Sequence, residues 1–314
     1  MTMELLGAAG MTNEMKQFYN KKLLSRAEKD IIYMNYGVKR PIPARGGKSV
    51  EFRRWEKITI TAGSYTLTEG TPPSVTNATV SVVSATISQY GMYSQVTDIL
   101  NTQGFDPIAS EFSDLFGLAS AEAVDVVVRN VLSAATTIQY ADNAHQVGTS
   151  GTGSVGSGNY LDASELMEAK RTLRRNGARA PYTCLIHPDN TKDLMEDPDI
   201  RDDFRWVSPE NIRSGNIGQW MGISFVETNN LRIRSSYGMS GADVCEVLMF
   251  GQEYYGITEL SAQTLRMYYQ PPGGVTDPLE QYSTLGFKAA LAAVILNEDF
   301  GVLINCASSR SNAA

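Results

Sequence analysis

Residues 101–140 read NTQGFDPIASEFSDLFGLASAEAVDVVVRNVLSAATTIQY. Asp106 followed by Pro107 is a helix start, with aspartate as N-cap and proline at the first helical position, where a missing N–H removes no bond. Beyond it Ile108, Phe112, Leu115, Phe116, Ala119, Ala123, Val127, Val131 and Ala135 form one apolar stripe at helical spacing. The pattern predicts a helix reaching about Tyr140, on the order of 30 residues and roughly 45 Å long. That is long for a globular helix, so it is expected to act as a structural spine. Phe112, Leu115, Phe116, Val127 and Val131 are its expected core residues.

N-terminal to this helix lie two β-runs. Val50–Ile60, VEFRRWEKITI, places Val50, Phe52 and Arg54 on one face and Glu51, Arg53 and Trp55 on the other. After a turn-rich stretch with Gly63, Gly70, Pro72 and Pro73 comes Thr79–Thr97, where a shift of face at Val82-Val83 suggests a bulge. Together they predict one hairpin of about 50 residues, rich in Thr, Ser and Arg. A lone two-stranded hairpin is marginal in water, so this one is expected to lie against a neighbouring chain. Earlier still, Leu23, Leu24, Ala27, Ile31 and Ile32 recur at helical spacing until Gly37 and Pro41-Ile42-Pro43 end the element. With so few apolar positions, the segment reads as an arm lying on something else.

On the C-terminal side, Gly148–Gly158 is a Gly/Ser/Thr loop. Asp162 then caps a second helix, with Glu165 completing a capping box and Gly177 closing it. Tyr182–Ile186 reads as a buried strand. From there to about Pro272 short helices and strands alternate, which suggests a separate α/β subdomain. Leu285–Leu296 alternates cleanly, and the turn Asn297–Asp299 leads to Phe300–Ile304. This pair is expected to be an antiparallel hairpin packed on the spine. The fold class is α+β, without an internal repeat.

The net charge of −7 is unevenly spread over the 314 residues. Residues 1–60 hold 12 Lys and Arg against 6 Asp and Glu, a balance of +6, so the other 254 carry −13. A basic N-terminal part on an acidic body suggests charge-complementary contact between copies. The basic part lacks the dense runs and interleaved aromatics of a dedicated nucleic-acid binder. The cysteines, Cys184, Cys245 and Cys306, number three and form no CxxC pair, which argues against a disulfide framework and for free thiols in a reducing cytoplasm. No secretion signal opens the chain, and the longest apolar run, Ala289–Leu296, is far short of the roughly 20 residues that span a bilayer.

Candidate chemistry is thin. The glycine-rich loop lacks the Lys-Ser/Thr pair and flanking elements of a phosphate cradle. His187, next to Asp189 and three residues after Cys184, allows a catalytic dyad on paper, but no nucleophile-elbow context surrounds either residue, and a turn-stabilising role fits it better. The histidines are only His145 and His187, without ligand spacing for a metal. Asp193, Glu196, Asp197, Asp199, Asp202 and Asp203 lack the glycine and spacing of a calcium loop and read as a solvated face. Neither catalytic residues, a metal nor a cofactor is expected. A soluble α/β enzyme with an unrecognised site is the remaining reading of a different class.

Several segments carry a resemblance. They are FYNKKLLSRA at 18–27, YGVKRPIPARGGKSVEFRRW at 36–55, TPPSVTNATVSVVSATISQYGMY at 71–93 and NTQGFDPIASEFSDLFGLASAEAVDVVVRNVL at 101–132. LIHPDN at 185–190, GNIGQWMGISFVET at 215–228 and DPLEQYSTLGFKAALAAVILNEDFGVLI at 277–304 complete the set. In content and order the chain resembles the HK-97-type major capsid proteins of tailed bacteriophages, and within them the N-four-type podophage capsid family.

The resemblance implies an N-terminal arm at 1–40, an extended hairpin or E-loop at 41–90, a P-domain with the spine at 91–180 and 275–314, and an A-domain at 181–274. It implies hexamers and pentamers of the chain in an icosahedral shell around double-stranded DNA, with a separate scaffolding protein, a portal and a cement protein as partners. The virion capsid is the implied location, after synthesis in the bacterial host cytoplasm. Arg40, Lys48, Phe52, Arg53, Arg54, Trp55, Lys57 and Tyr65 are the expected intersubunit residues of arm and E-loop. Some such shells cross-link an E-loop lysine; Lys48 and Lys57 lie in this hairpin, but no motif matches the other partners. A shell protein of an encapsulin-like nanocompartment, holding enzymes instead of DNA, shares the architecture.

Overall fold

The structure, a computed structural model, describes residues 31–43, 47–56, 58, 66–67, 69–71, 77–103, 108–141, 147–148, 155–207, 218–260, 265–273 and 279–309. The predicted arm helix, the Asp106-Pro107 helix start, Lys57, Tyr65, His145 and most of the glycine-rich loop lie outside the described residues.

In chain order the elements are β1 (Val38–Lys39), β2 (Ser49–Trp55), β3 (Val80–Thr86), β4 (Ser88–Thr97), α1 (Asp98–Gln103), α2 (Ile108–Leu132), β5 (Ile138–Tyr140), β6 (Val147–Gly148), α3 (Ala163–Arg175), β7 (Tyr182–Ile186), α4 (Pro188–Glu196) and α5 (Pro198–Val207). There follow β8 (Gln219–Trp220), β9 (Ile223–Glu227), β10 (Ile233–Arg234), β11 (Val244–Phe250), β12 (Tyr255–Glu259), β13 (Arg266–Gln270), β14 (Tyr282–Ile295) and β15 (Gly301–Cys306).

The spine, α2, is 25 residues long, shorter than its periodicity predicts. Its end tightens, with Ala134 and Ala135 N–H groups bonding the carbonyls three residues back, Val131 and Leu132. Ile138–Tyr140 then runs extended beside β15, with Leu303 opposite Ile138. Strand pairing with a distant segment outcompetes helical periodicity here.

The spine also presents a different face from the one its apolar residues suggest. At roughly 100° per residue, the buried arc runs through Ser113, Phe116, Ser120, Ala121, Val124, Asp125, Val128 and Leu132. Phe116, with Phe112, Ala119 and Ala123 beside it, packs on Met267, Leu285 and Phe287. Val124, Val128 and Leu132 enter the main core, against which Val127 packs half-buried; Val131 is half-buried too. Leu115, expected in the core, is 61% exposed. Polar side chains on the arc find partners inside. The Ser120 hydroxyl donates to the Gly117 carbonyl at 2.8 Å, and Asp125 Oδ2 accepts from the Ile32 N–H at 3.0 Å.

β2 and β3 pair antiparallel without interruption from Ser49 opposite Thr86 to Trp55 opposite Val80. Val82 and Val83 face Arg53 and Phe52 in regular register, so the bulge expected there is absent. The strand breaks at buried Ile87 instead, and β4 leaves the hairpin to pair with β14 over ten residues, Thr97 opposite Tyr282 through Ser88 opposite Leu291. One long β-run thus serves two sheets.

β14 is the long member of a five-stranded sheet, with β4 on one edge and β12 and β13 end to end on the other. β1 adds to β12 in parallel. The second sheet has eight strands in the order β6-β5-β15-β11-β7-β9-β8, with β10 also on β11. β14 and β15 therefore belong to different sheets and are not the hairpin that the turn at Asn297 suggests. β14 does lie on the spine. In this sheet the strands of the 181–274 stretch are joined by β5, β6 and β15 from outside it. Inner strands of this second sheet, β7, β11 and β15, are buried along their whole length.

α3 forms as its sequence directs. The Asp162 side chain accepts from the Glu165 N–H at 2.9 Å. At the other end Gly177 sits at φ +86, and the Ala178 N–H reaches back to the Leu173 carbonyl. Leu166, Ala169 and Leu173 are fully buried in the main core, the two leucines contributing about 1.5–3 kcal/mol each.

Candidate subunit-contact surfaces

The hairpin's alternation divides it into a root face and an outer face. On the root face, buried Phe52 packs with Ile42, Ala85, Ile87, Ala290 and Ala292, and half-buried Val50 joins them. Its ring lies on Gly256 of β12, where an added Cβ would sit only 2.7 Å from the Phe52 ring. The Arg40 guanidinium lies 5.7 Å from the ring centroid and donates to the Glu51 carbonyl at 2.6 Å. Phe52, expected at a contact between copies, is thus enclosed by its own chain. Arg54 is turned inward as well, donating to the Leu296 carbonyl at 3.4 Å and pairing with Glu56 at 3.0 Å. A hydrogen bond from Ser81, and then Arg54, hold the Glu56 carboxyl below the usual carboxylate range.

The outer face is bare. Trp55 is 72% exposed, and Val80, opposite it, and Val82, opposite Arg53, are exposed too. Arg53 pairs with Glu51 at 3.2 Å with both side chains in solvent, a contact worth little by itself. Lys48 is exposed.

Residues 31–43 lie on their own chain. Tyr33 and Met34 are buried in the main core. The Tyr255 hydroxyl donates to the Tyr33 carbonyl at 2.5 Å, and Ile32 is held by Asp125 of the spine. Burial pushes the Asp125 carboxyl up to about 6, against the stabilising N–H groups of Ile32 and Tyr33. Nothing in the local pattern around Asp125 marks this clamp, because its partner lies 93 residues away.

The residues weighed for catalysis are placed apart. Cys184 is buried in mid-strand, its thiol pushed far up by desolvation. His187 is the N-cap of α4, its Nδ1 accepting from the Asp189 N–H at 3.3 Å. The acidic stretch is not simply a solvated face: Asp197 accepts from the Ala163 and Asp199 N–H groups, and Asp193 is buried, accepting from the Ser309 N–H. Among the described residues no group of three or more His, Cys, Asp or Glu is placed to hold a metal ion. No described helix is long and apolar enough to cross a membrane.

The chain as a whole is similar in fold to solved shell proteins. The capsid of Ralstonia phage GP4 is 12% identical, with 91% of this chain and 93% of that one covered and a TM-score of 0.68. The capsid of cyanophage Pam1 is 14% identical over 91% and 93%, with a TM-score of 0.67. The virus-like particle from Pyrococcus furiosus is 13% identical over 93% and 99%, with a TM-score of 0.55. The fold is thereby that of an HK-97-type shell subunit. The chain belongs to the phage capsid protein family, whose model matches residues 80–303. It is a major capsid protein, a structural component of the virion capsid. That family sets it with phage shells and leaves the nanocompartment reading with less support. No curated protein matches the sequence.

Proposed function

We propose that the chain assembles as hexamers and pentamers into an icosahedral shell around double-stranded DNA, and that it carries no catalysis or cofactor of its own. In this reading 41–90 is the E-loop reaching over an adjacent copy, 1–40 a contacting arm, 91–180 with 275–314 the P-domain, and 181–274 the A-domain. The motif set places it with the N-four-type podophage capsids. A separate scaffolding protein, a portal and a cement protein are its proposed partners.

The observation that supports this best is the two-faced hairpin. Its root is fastened by Phe52 and Arg54, while Trp55, Val80 and Val82 stand in solvent. Many copies of a modest contact stabilise a shell through multivalency.

Size-exclusion chromatography with light scattering, followed by electron microscopy of the expressed chain, tests the reading. Closed particles or rings of five or six subunits are expected. A chain that stays monomeric with its scaffolding partner present overturns it.

A further inference from the structure

Between 111 and 125 the spine α2 exposes Glu111, Leu115, Leu118 and Glu122. At about 100° per residue these positions fall on one face of the helix. The face ends at the clamp where Asp125 accepts from the Ile32 N–H. There Ile32, Leu118, Glu122 and Glu227 border a cleft of about 510 Å³, and the two glutamates are the charged residues of its described lining. Leu115 and Leu118, large apolar side chains one turn apart, stand in solvent among the described residues. The chain that reaches this cleft at Ile31 and Ile32 comes from residues 1–30, which lie outside the described residues.

We infer that residues 16–30 form a helix laid parallel to α2 on this exposed face of their own spine. Three observations select this occupant. The segment ends at the anchor: Ile32 is held by Asp125, and Ile31 and Ile32 already pack against the main core. Its length and spacing fit the face. Both helices rise about 1.5 Å per residue, so the offset of 93 between Ile32 and Asp125 is kept along them. Leu118 then stands level with Ser25 and Leu115 with Lys22, where the adjacent Leu24 and Leu23 turn toward them. Its chemistry fits too. Leu23, Leu24, Ala27 and Ile31 make one stripe at helical spacing, bordered by Arg26 on one side and Lys21 on the other. Arg26 falls within a turn of Glu122, and Lys21 within a turn of Glu111, each an opposite charge. So short a helix is marginal alone in water and gains its stability by packing an apolar face. The arrangement goes beyond the shell reading and holds within a single chain. Contact of the arm with other copies then falls to its outward side, which carries Lys22 and Lys29.

The test uses cysteine pairs in the full-length chain, since the native Cys184, Cys245 and Cys306 are all buried. A chain carrying A27C and L118C is treated with a short bis-maleimide, digested and mapped. I233C, exposed elsewhere, replaces L118C in the control. Expected is a link within one chain on the order of tenfold above the control, as for groups held together and not merely tethered. A27E sets a charge against Leu118 and should bare the face, so in the L118C background it should speed reaction with a simple maleimide several times. A link no stronger than the control overturns the inference, as does L118C reactivity that A27E leaves unchanged. Mixing chains that carry A27C alone with chains that carry L118C alone identifies the occupant. Dimers that form as efficiently as the internal link show the arm of a second copy on the face, which also overturns it. Neither readout needs particles, so a failure here is distinct from a failure of the shell reading.

Discussion

Phe52 fixes where the hairpin is attached and leaves its outer face free. Phe52→Ala removes the largest side chain of that root cluster, and truncations of this kind cost about 3–5 kcal/mol in a packed core. The loss falls on the hairpin: trypsin should cut after Arg53 or Arg54 several times faster, with the far-UV spectrum unchanged. Asp125 makes the opposite kind of contribution. Its carboxyl titrates near 6 when folded against a reference of 3.8, so the folded state takes up its proton first. The stability linked to it is full below about pH 4 and is lost as pH rises through about 6. Asp125→Asn keeps an acceptor for Ile32 without the charge. Melting curves from pH 4 to 7 should therefore fall less with rising pH in the variant than in the parent, by on the order of 2 kcal/mol; parallel curves would remove Asp125 from the account.

Among the elements, the spine shows how a face is chosen. Phe116→Ala should destabilise the isolated chain by about 3 kcal/mol or more. Leu115→Glu, one residue earlier but in solvent, should change it by no more than about 0.5 kcal/mol. Denaturant unfolding of the two variants checks this directly, and a large effect of Leu115→Glu would return that residue to the core. The hairpin is separable in the same sense. Deleting residues 62–78 leaves the β2–β3 root and its cluster in place. The product should give the parent's circular dichroism and melting temperature yet form no closed particles.

At the scale of the whole molecule, charge and burial divide the work. Arg54 is committed to its own chain, whereas Arg53 stands in solvent beside Glu51. Arg53→Glu should therefore leave folding intact and weaken assembly more at low than at high ionic strength, because exposed pairs are screened. Equal particle yield at every salt concentration would dismiss an ion-pairing role. The sealed cysteines fit the same division. Burial raises all three thiols, Cys245 to about 12, so none exists as a reactive thiolate near neutral pH.

The sequence by itself determined whatever local chemistry dictates. Asp162 and Gly177 bracket α3, because a carboxylate satisfies orphan N–H groups and only glycine enters a positive φ without strain. Tyr182–Ile186 is a buried strand, and Val50, Phe52 and Arg54 share one face, because strand side chains alternate. The ordered motifs named the family. Only the tertiary structure decided which partners those elements meet. It ended the spine at Leu132 by giving Ile138–Tyr140 to β15, split Thr79–Thr97 between two sheets, and sent β14 and β15 apart. It also turned the spine through Ser113, Ser120 and Asp125 and left Leu115 outside. It hid Phe52 and bared Trp55 on the opposite faces of one strand. Each of these depends on backbone and side-chain partners tens to hundreds of residues away, and a periodic pattern reports how an element is wound, not what will lie against it.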